Sequence, residues 1–315
     1  MVEYELTNTA KRSFDDVYNQ STPHRYLEEM SRIGYQIGEQ ARPYCAAVVD
    51  LLKETNPGSP TRILDIGCSY GIGSAFVKYG CSFEELVSYF RSRAPEDYAR
   101  CVAATRVWLN AGQPKAGTSV IGLDVSWQAV QFALDSGLID RGITNNLEME
   151  DLAPEEERWL QATSLLICTG AIGYVGPQTF DRVLRHLGQG HRNSTGPAAV
   201  MTILRMFDPS AVQASFERAD WEFRRIRGVR LPQRAFADLN EQRSIITAIE
   251  DRGLNPQGWE SLGVMYADLY VAGMPGFIDR LESRVMQAAQ GRQPQLFASL
   301  VAVATAKEEA EVRVR

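Results

Sequence analysis

The chain has 315 residues, of which 44% are hydrophobic, and this is enough apolar material for one large or two small globular domains. Its 33 basic and 39 acidic residues give a formal net charge of −6, and the basic residues are scattered along the chain instead of forming a run. Composition and charge therefore exclude disordered and fibrous proteins and argue against a protein that binds the nucleic acid backbone.

The sequence carries no signal for membrane insertion or secretion. No apolar stretch approaches the ~18 residues of a membrane-spanning helix, and the N-terminal sequence MVEYELTNTAKRSF lacks the basic-then-apolar pattern of a secretion signal. We therefore expect a cytoplasmic protein with no membrane or nucleic acid partner. The five cysteines include no C-x-x-C pair and the three histidines form no zinc pattern, so we expect reduced thiols and no metal site.

The predicted elements begin with a helical region at residues 1–55, where apolar residues recur at helical spacing. A cluster of chain breakers, NPGSP at 56–60, then leads into an apolar run at Thr61–Ile66 that ends at Gly67. This pattern predicts a buried strand that enters a glycine turn.

Later strands are predicted wherever a short apolar run is bounded by turn residues. These runs lie at Ser119–Asp124, Ile143–Leu147, Ser164–Thr169, Ala198–Met206, Trp221–Val229 and Val264–Val271. Stretches with helical spacing separate most of them, at Trp127–Ser136, Thr179–Leu187 and Arg234–Arg252. The alternation predicts an α/β fold, a Rossmann-like doubly wound seven-stranded sheet whose ligand-binding strand ends lie on one edge.

Three regions fall outside the predicted sheet. We expect residues 1–55 to form an N-terminal helical lid, residues 76–117 to form a helical insertion after the first strand, and residues 276–315 to form a C-terminal helical extension. The segment 56–275 would then be a single ligand-binding α/β domain. The insertion starts near the ligand-binding edge of the sheet, where it could form a wall of the substrate pocket.

The strongest motif is ILDIGCSYGIG at Ile63–Gly73, which places Asp65 near the end of a strand and three glycines in the turn that follows. Such a turn lets a ligand approach the backbone and presents a helix N-terminus. Neither the dinucleotide pattern G-x-G-x-x-G nor the phosphate-loop pattern G-x-x-x-x-G-K-[ST] is present. A carboxylate at this place would repel pyrophosphate but would suit a ligand with an ammonium group.

Two motifs carry a family resemblance. DIGCSYG at Asp65–Gly71 resembles the first motif of class I S-adenosylmethionine-dependent methyltransferases, and GLDVS at Gly122–Ser126 resembles the second. The stretches RILDIGCSYGIGSA, NNLEMEDL, CTGAIGYVG, LRMFD and LPQRAFAD resemble a bacterial group of small-molecule methyltransferases. The resemblance covers roughly residues 14–275.

The resemblance implies a role for the first two strand ends. Asp65 and the backbone of Gly67 would hold the amino acid end of the cofactor, S-adenosylmethionine. Asp124 would accept hydrogen bonds from both ribose hydroxyls, because a carboxylate offers two acceptor oxygens.

The third and fourth strand ends would meet the rest of the cofactor. Asn146 and Leu147 would contact the adenine edge, and Thr169 and Gly170 would lie beside the sulfonium. The full set of implied cofactor contacts is Asp65, Gly67, Ser69, Tyr70, Gly71, Asp124, Val125, Asn146, Leu147, Thr169 and Gly170.

The distance between the two acids departs from a simple strand-helix-strand unit. Asp124 follows Asp65 at about three times the spacing of about 20 residues that such a unit shows. Glu84 and Glu85 lie near the shorter spacing, but they fall inside a helical pattern with no strand just before them. We therefore assign the ribose contact to Asp124 and treat 76–117 as an insertion.

Two side chains at strand ends are candidates for the chemistry. Tyr174 could bring its ring to the sulfonium, which an aromatic face attracts, or it could cap the sheet edge. Arg205 could clamp a substrate carboxylate through two hydrogen bonds, or it could form a structural salt bridge with Asp208.

The predicted lid supplies further candidates. His24 could act as a general base, although a lone histidine also packs or lies on the surface. Tyr18, Arg25 and Tyr26 lie in the same region and could contact the substrate when the lid closes over the site and excludes water.

The resemblance implies methyl transfer to a small-molecule acceptor of the secondary-metabolite or amino-acid-like kind. An alternative on the same fold is a cyclase that converts the cofactor to azetidine-2-carboxylic acid and methylthioadenosine. A third hypothesis is a non-catalytic partner of the cofactor or of a methyltransferase subunit, which the charged string KEEAEVRVR alone suggests. The acceptor, the need for a general base and a homodimeric state stay open.

Overall fold

The computed structural model describes residues 15–93, 97–112, 114–187 and 196–290. The first 14 residues of the predicted lid, most of the predicted C-terminal extension and His191 lie outside these ranges. Among the described residues, no helix combines the length and the apolar character that crossing a membrane requires.

A single sheet of seven strands forms the centre of the described chain. The strands are β1 Thr61–Ile66, β2 Thr118–Leu123, β3 Arg141–Ile143, β4 Leu165–Thr169, β5 Ala198–Leu204, β6 Glu222–Ala235 and β7 Val264–Gly273. Their order is β3-β2-β1-β4-β5-β7-β6, and β7 runs antiparallel to both of its neighbours. The predicted Rossmann-like, doubly wound seven-stranded sheet is therefore confirmed.

Helices connect the strands and precede the sheet. They are α1 Asp15–Tyr18, α2 His24–Arg32, α3 Ile37–Thr55, α4 Ile72–Ser74, α5 Phe83–Arg91, α6 Tyr98–Ala111, α7 Trp127–Ser136, α8 Pro154–Gln161, α9 Pro177–Leu184, α10 Ser210–Arg218, α11 Leu239–Asp251 and α12 Ile278–Gln290. A π-helical turn, Ala75–Tyr79, continues α4, and a 3₁₀ turn, Glu260–Leu262, precedes β7. Every residue of β5 is buried, as expected of a strand with helices on both faces.

Several predicted elements have different bounds in the structure, among them the sixth strand, which extends to Ala235. The third strand ends at Ile143 because its pairing with β2 stops there, and Asn146 opens a turn in which its side-chain oxygen accepts a hydrogen bond from Glu148 N at 3.1 Å. The predicted helix Arg234–Arg252 begins only at Leu239. The side chain of Asp238 caps this helix by accepting hydrogen bonds from the backbone N–H groups of Asn240 and Glu241. Arg234, in contrast, still belongs to β6 and pairs with β7.

The region predicted as a lid divides into two parts. Helix α3 packs against β1, β4, β5 and β6 and against α12, so it covers a face of the sheet. Residues 18–35, in contrast, border the cleft described below. A closing motion of the second part stays a prediction.

The insertion after β1 contributes α5 and α6, but none of its described residues lines the cleft. Instead α5 packs against α2, and α6 packs against α7. Glu85 takes part in the capping box of α5, where it accepts a hydrogen bond from Ser82 N at 2.7 Å. The insertion therefore supports the wall formed by the N-terminal helices instead of forming that wall itself.

Candidate functional site

A cleft of about 180 Å³ lies at the carboxyl ends of β1 to β4. This is more than ten times the ~10–15 Å³ that one buried water needs, so the cleft has room for a molecule of some size. Strand ends and the N-terminal segment both contribute to its wall. The lining residues are Tyr18, Asn19, Tyr26, Tyr35, Gly67, Ser69, Leu123, Asp124, Val125, Ser126, Asn145, Asn146, Leu147, Glu148, Thr169, Gly170, Ala171, Tyr174, Val175 and Thr179.

The turn after β1 has the left-handed backbone that its glycines permit. Gly67 has a φ of +74°, and a Cβ on it would lie 2.2 Å from the Cβ of Ala171. Ser69 also has a positive φ, of +48°, which is uncommon for a residue with a side chain. Its backbone N–H donates a hydrogen bond to Asp124 Oδ2 at 2.9 Å, and this bond offsets part of the strain.

Asp124 is the first residue after β2 and is held from two sides. Its Oδ2 accepts the Ser69 N–H, and its Oδ1 accepts the Ser126 N–H at 2.9 Å. Burial raises the pKa of the Asp124 carboxyl, and these two backbone hydrogen bonds oppose that rise. Because each carboxylate oxygen has a second lone pair, the group remains able to accept two further hydrogen bonds from a ligand.

Asp65 lies behind the cleft and is not one of its lining residues. Its side chain is 3% exposed and packs against Gly73, where a Cβ would lie 2.5 Å from Asp65 Oδ2. That oxygen has no hydrogen-bond partner within the described ranges. Burial, and then the charge of Asp124, raise the pKa of Asp65 to about 8. A cation that approached the turn would favour the ionised form.

The raised pKa of Asp65 predicts that the unliganded protein loses stability as the pH rises. Between the ordinary value of 3.8 and about 8, the folded chain binds a proton that the unfolded chain does not. The bound proton of Asp65 therefore adds fully to the free energy of unfolding below pH ~4. This contribution decreases as the pH rises towards ~8, by at most about 1.4 kcal/mol per pH unit. Urea unfolding at several pH values should show a shallower decline in Asp65→Asn. Equal slopes in the two proteins would contradict the prediction.

The turn after β3 joins the two sides of the cleft through Glu148. Its Oε1 accepts hydrogen bonds from Gly176 N at 2.9 Å, from Thr179 N at 3.0 Å and from Thr179 Oγ1 at 2.5 Å. Glu148 therefore caps the N-terminus of α9 and fixes the end of the loop that carries Tyr174. The adjacent Leu147 is held by Arg182, whose Nη1 donates to its carbonyl oxygen at 2.6 Å.

The end of β4 forms the opposite side of the cleft. Gly170 has a φ of +84°, and its N–H donates to Thr202 Oγ1 at 3.1 Å. A Cβ at Gly170 would lie 2.7 Å from the hydroxyl oxygen of Tyr35. Tyr174, after this turn, is 46% exposed at the mouth of the cleft. Thr169, Gly170 and Tyr174 therefore lie together, as the sequence predicts.

The N-terminal segment is attached to the cleft by its backbone. The hydroxyl of Tyr70 donates to Gln20 O at 2.8 Å and accepts from Gln20 N at 3.1 Å. Ser126 Oγ donates to Tyr18 O at 2.9 Å. Tyr70 is fully buried and does not line the cleft, so it anchors the segment that carries Tyr18 and Asn19.

Several predicted site residues lie away from the cleft wall. Gly71 packs against Leu138, whose Cβ would be 2.9 Å from a Cβ at position 71. His24 Nδ1 lies 3.1 Å from Thr22 Oγ1, and its ring meets Phe90 edge-on. Arg25 is exposed and does not line the cleft, whereas Val125 does line it and is 63% exposed.

Arg205 neither faces the cleft as a substrate clamp nor pairs with Asp208, the two roles predicted from the sequence. Its guanidinium is buried, forms a salt bridge with Glu260 and donates from Nη2 to Asn255 O at 2.8 Å. Asp208 instead accepts hydrogen bonds from the backbone N–H and the hydroxyl of Ser210. Because the Glu260 partner holds Arg205 away from the cleft, neither a substrate clamp nor a bridge to Asp208 is observed.

Sequence reasoning missed several lining residues. Ser126 and Glu148 fall inside the motifs GLDVS and NNLEMEDL, so their positions could have been included with their neighbours. Tyr35 and Asn19 carried no sequence signal, because their approach depends on the fold of the N-terminal segment. Among the described residues, no cluster of three or more histidine, cysteine, aspartate or glutamate side chains could hold a metal ion.

No family model and no curated protein matches the chain. Among solved structures, a TehB-like S-adenosylmethionine-dependent methyltransferase from Corynebacterium glutamicum is 13% identical, with a TM-score of 0.35 over 71% of this chain and 86% of that one. Magnesium protoporphyrin IX methyltransferase from Synechocystis, with bound S-adenosylmethionine, is 10% identical, with a TM-score of 0.37 over 85% and 95%.

An amino pentose methyltransferase from Micromonospora echinaspora, with bound S-adenosylmethionine, is 14% identical, with a TM-score of 0.38 over 79% of this chain and 95% of that one.

Proposed function

We propose that this protein is an S-adenosylmethionine-dependent methyltransferase that acts on a small-molecule acceptor. The observation that carries the proposal is the fixed carboxylate of Asp124, which lies at the end of β2 beside the glycine turn of β1. A carboxylate in this place accepts hydrogen bonds from a ribose, as in other doubly wound sheets that bind nucleotides.

The residues present fit this cofactor. Asp124 keeps two lone pairs for the ribose hydroxyls, and Asn146 and Leu147 line the cleft on the side of β3, where an adenine edge would lie. Asp65 has a buried oxygen without a hydrogen-bond partner in the described chain, and an ammonium group near the turn would stabilise its charge. Residue 67 has to be a glycine, because Ala171 fills the space that a Cβ would need.

The chain's own residues would bind and align the reactants. When bound, the cofactor supplies a methyl group on a positively charged sulfur. The face of Tyr174 would attract that charge at the mouth of the cleft, and Tyr18, Tyr26 and Tyr35 would exclude water from it. Alignment and desolvation are the main demands of such a transfer, and well-oriented partners reach effective molarities of about 10⁵ to 10⁸ M.

We also propose a cytoplasmic enzyme of small-molecule biosynthesis without a nucleic acid partner, consistent with the mild acidity of the chain. The N-terminal segment would close over the bound cofactor, and the C-terminal extension has no assigned role.

Calorimetric titration with S-adenosylmethionine and with its demethylated product tests the cofactor, and we expect one molecule bound per chain. Incubation with S-adenosylmethionine, alone and with pools of small metabolites, then tests the reaction by mass spectrometry. Demethylated cofactor that appears only with an acceptor supports the transferase. Methylthioadenosine formed from the cofactor alone would favour the cyclase, and a folded protein that binds neither compound would contradict both.

A further inference from the structure

Three tyrosines from one short N-terminal stretch contribute to the wall of the cleft. Tyr18, Tyr26 and Tyr35 all line it, and the rings of Tyr18 and Tyr26 lie 5.2 Å apart. Within residues 15–93, 97–112, 114–187 and 196–290, none of these hydroxyls forms a hydrogen bond. The wall of the cleft therefore holds three phenol groups whose hydroxyls have no hydrogen-bond partner in the described chain.

Tyr35 is the tyrosine nearest to the end of β4. Its hydroxyl oxygen would be 2.7 Å from a Cβ at Gly170, so it can occupy this place only because residue 170 has no side chain. Gly170 and Thr169 form the part of the wall where the proposed cofactor would present its sulfonium. Tyr35 is therefore positioned to contact the atom that receives the methyl group.

The electrostatic surroundings of these tyrosines are negative. Burial is the main cause that raises the pKa of each phenol, and for Tyr18 and Tyr26 the neighbouring tyrosines come next. Carboxylates raise it further, Asp124 for Tyr18 and Tyr26 and, once the ammonium group of the cofactor has ionised it, Asp65 for Tyr35. The tyrosines are therefore neutral at physiological pH and poor proton acceptors.

The positive group that acts on Tyr18 and Tyr35, Arg234, is already paired. The Arg234 guanidinium binds both oxygens of Glu241, at 2.7 and 2.8 Å, and both side chains are buried. The charge of Arg234 therefore offsets only part of the negative field beside the three tyrosines. A ligand that is a cation is favoured over an anion in this part of the cleft.

We propose that the acceptor is an amine, held with its nitrogen against the hydroxyl oxygen of Tyr35. An amine that enters as its ammonium ion first releases a proton to solvent. The nitrogen lone pair of the free amine then forms the new bond to the methyl carbon as the bond from that carbon to sulfur breaks. The electron pair of the broken bond stays on sulfur, which becomes a neutral thioether. The positive charge moves to the nitrogen, which then releases a proton to solvent.

This reaction suits the cleft because the net charge inside it stays constant until the proton leaves. Aromatic faces and nearby carboxylates stabilise a cation on either the sulfur or the nitrogen. An alcohol or phenol, in contrast, would have to lose a proton during the transfer, and tyrosines with raised pKa values are poorly suited to accept it.

The proposal rests on the proposed function, and its test measures binding instead of turnover. The protein is saturated with S-adenosylhomocysteine and titrated with benzylamine, benzyl alcohol and benzoate, which share a ring and differ in the polar group. We expect benzylamine to bind at least about tenfold more tightly than the other two. Tyr35→Phe should reduce that preference severalfold, and Tyr35→Leu should remove it.

Tyr98→Phe is the matched control, because the Tyr98 hydroxyl donates to Asp135 Oδ2 at 2.7 Å and lies outside the cleft. It should keep the full preference for the amine. Benzyl alcohol or benzoate binding as tightly as benzylamine, no binding of any of the three, or a preference unchanged in both Tyr35 variants would overturn the proposal. Failure of S-adenosylhomocysteine itself to bind would instead contradict the proposed function.

Discussion

Asp124→Asn is expected to weaken the binding of S-adenosylmethionine about 100-fold or more. Each hydrogen bond to a charged carboxylate contributes about 1.5–3 kcal/mol, and the ribose would make two of them. The asparagine NH₂ would also face one of the two backbone donors, Ser69 N or Ser126 N, which each lie 2.9 Å from a carboxylate oxygen. Calorimetric titration measures the loss, and thermal unfolding shows whether the variant is folded.

Asp135→Asn is the matched control for this change. Asp135 lies on α7, near Asp124 in sequence, but its carboxylate accepts hydrogen bonds from Tyr98 and Gln131 outside the cleft. We expect its affinity for the cofactor to equal that of the unaltered protein. An Asp124→Asn protein that is folded and binds with unchanged affinity would show that Asp124 does not hold the ribose.

Gly67→Ala is expected to cause the largest loss of stability among the substitutions proposed here, about 2–5 kcal/mol. Its backbone has a φ of +74°, which costs an alanine about 1–2 kcal/mol. The added Cβ would also lie 2.2 Å from the Cβ of Ala171, and such overpacking costs about 1–3 kcal/mol more. Urea unfolding measures the free energy of unfolding of the variant.

Gly80→Ala separates the cost of the positive φ from the cost of the contact with Ala171. Gly80 has almost the same φ, +73°, but a Cβ there would have no atom within 4 Å. The free energy of unfolding of Gly80→Ala should decrease only by the cost of a positive φ for an alanine, about 1–2 kcal/mol. Equal losses at positions 67 and 80 would show that the contact with Ala171 costs nothing and that the turn can move away from β4.

The strand ends were predictable because their signals are local. The run Thr61–Ile66 is apolar, follows a cluster of breakers and ends at a glycine, and the structure has β1 at the same residues. Asp124 was identifiable because it ends the second predicted run, Ser119–Asp124, and because it lies in the motif GLDVS that carries the family resemblance. Parallel strands place their carboxyl ends on one edge, and this rule brings Asp124 and Thr169 to one cleft, to which the turn after β3 adds Asn146.

The residues that the sequence could not place depend on distant partners. Arg205 is held by Glu260, and Glu148 is held by the backbone around Gly176 and Thr179. Tyr35 reaches the cleft because Gly170, far along the chain, leaves space for its hydroxyl. Helical or strand periodicity describes neighbours in sequence, so it holds no information about such pairs.

The N-terminal segment is attached to the cleft through its backbone and not through its side chains. Tyr70 and Ser126 hold the segment through the backbone atoms of Gln20 and Tyr18. An exchange of the side chains at positions 18 and 19 would therefore leave these backbone bonds in place, although both residues form part of the cleft wall. Selection, natural or in the laboratory, can thus alter the wall of the cleft at these positions while the attachment of the segment is retained.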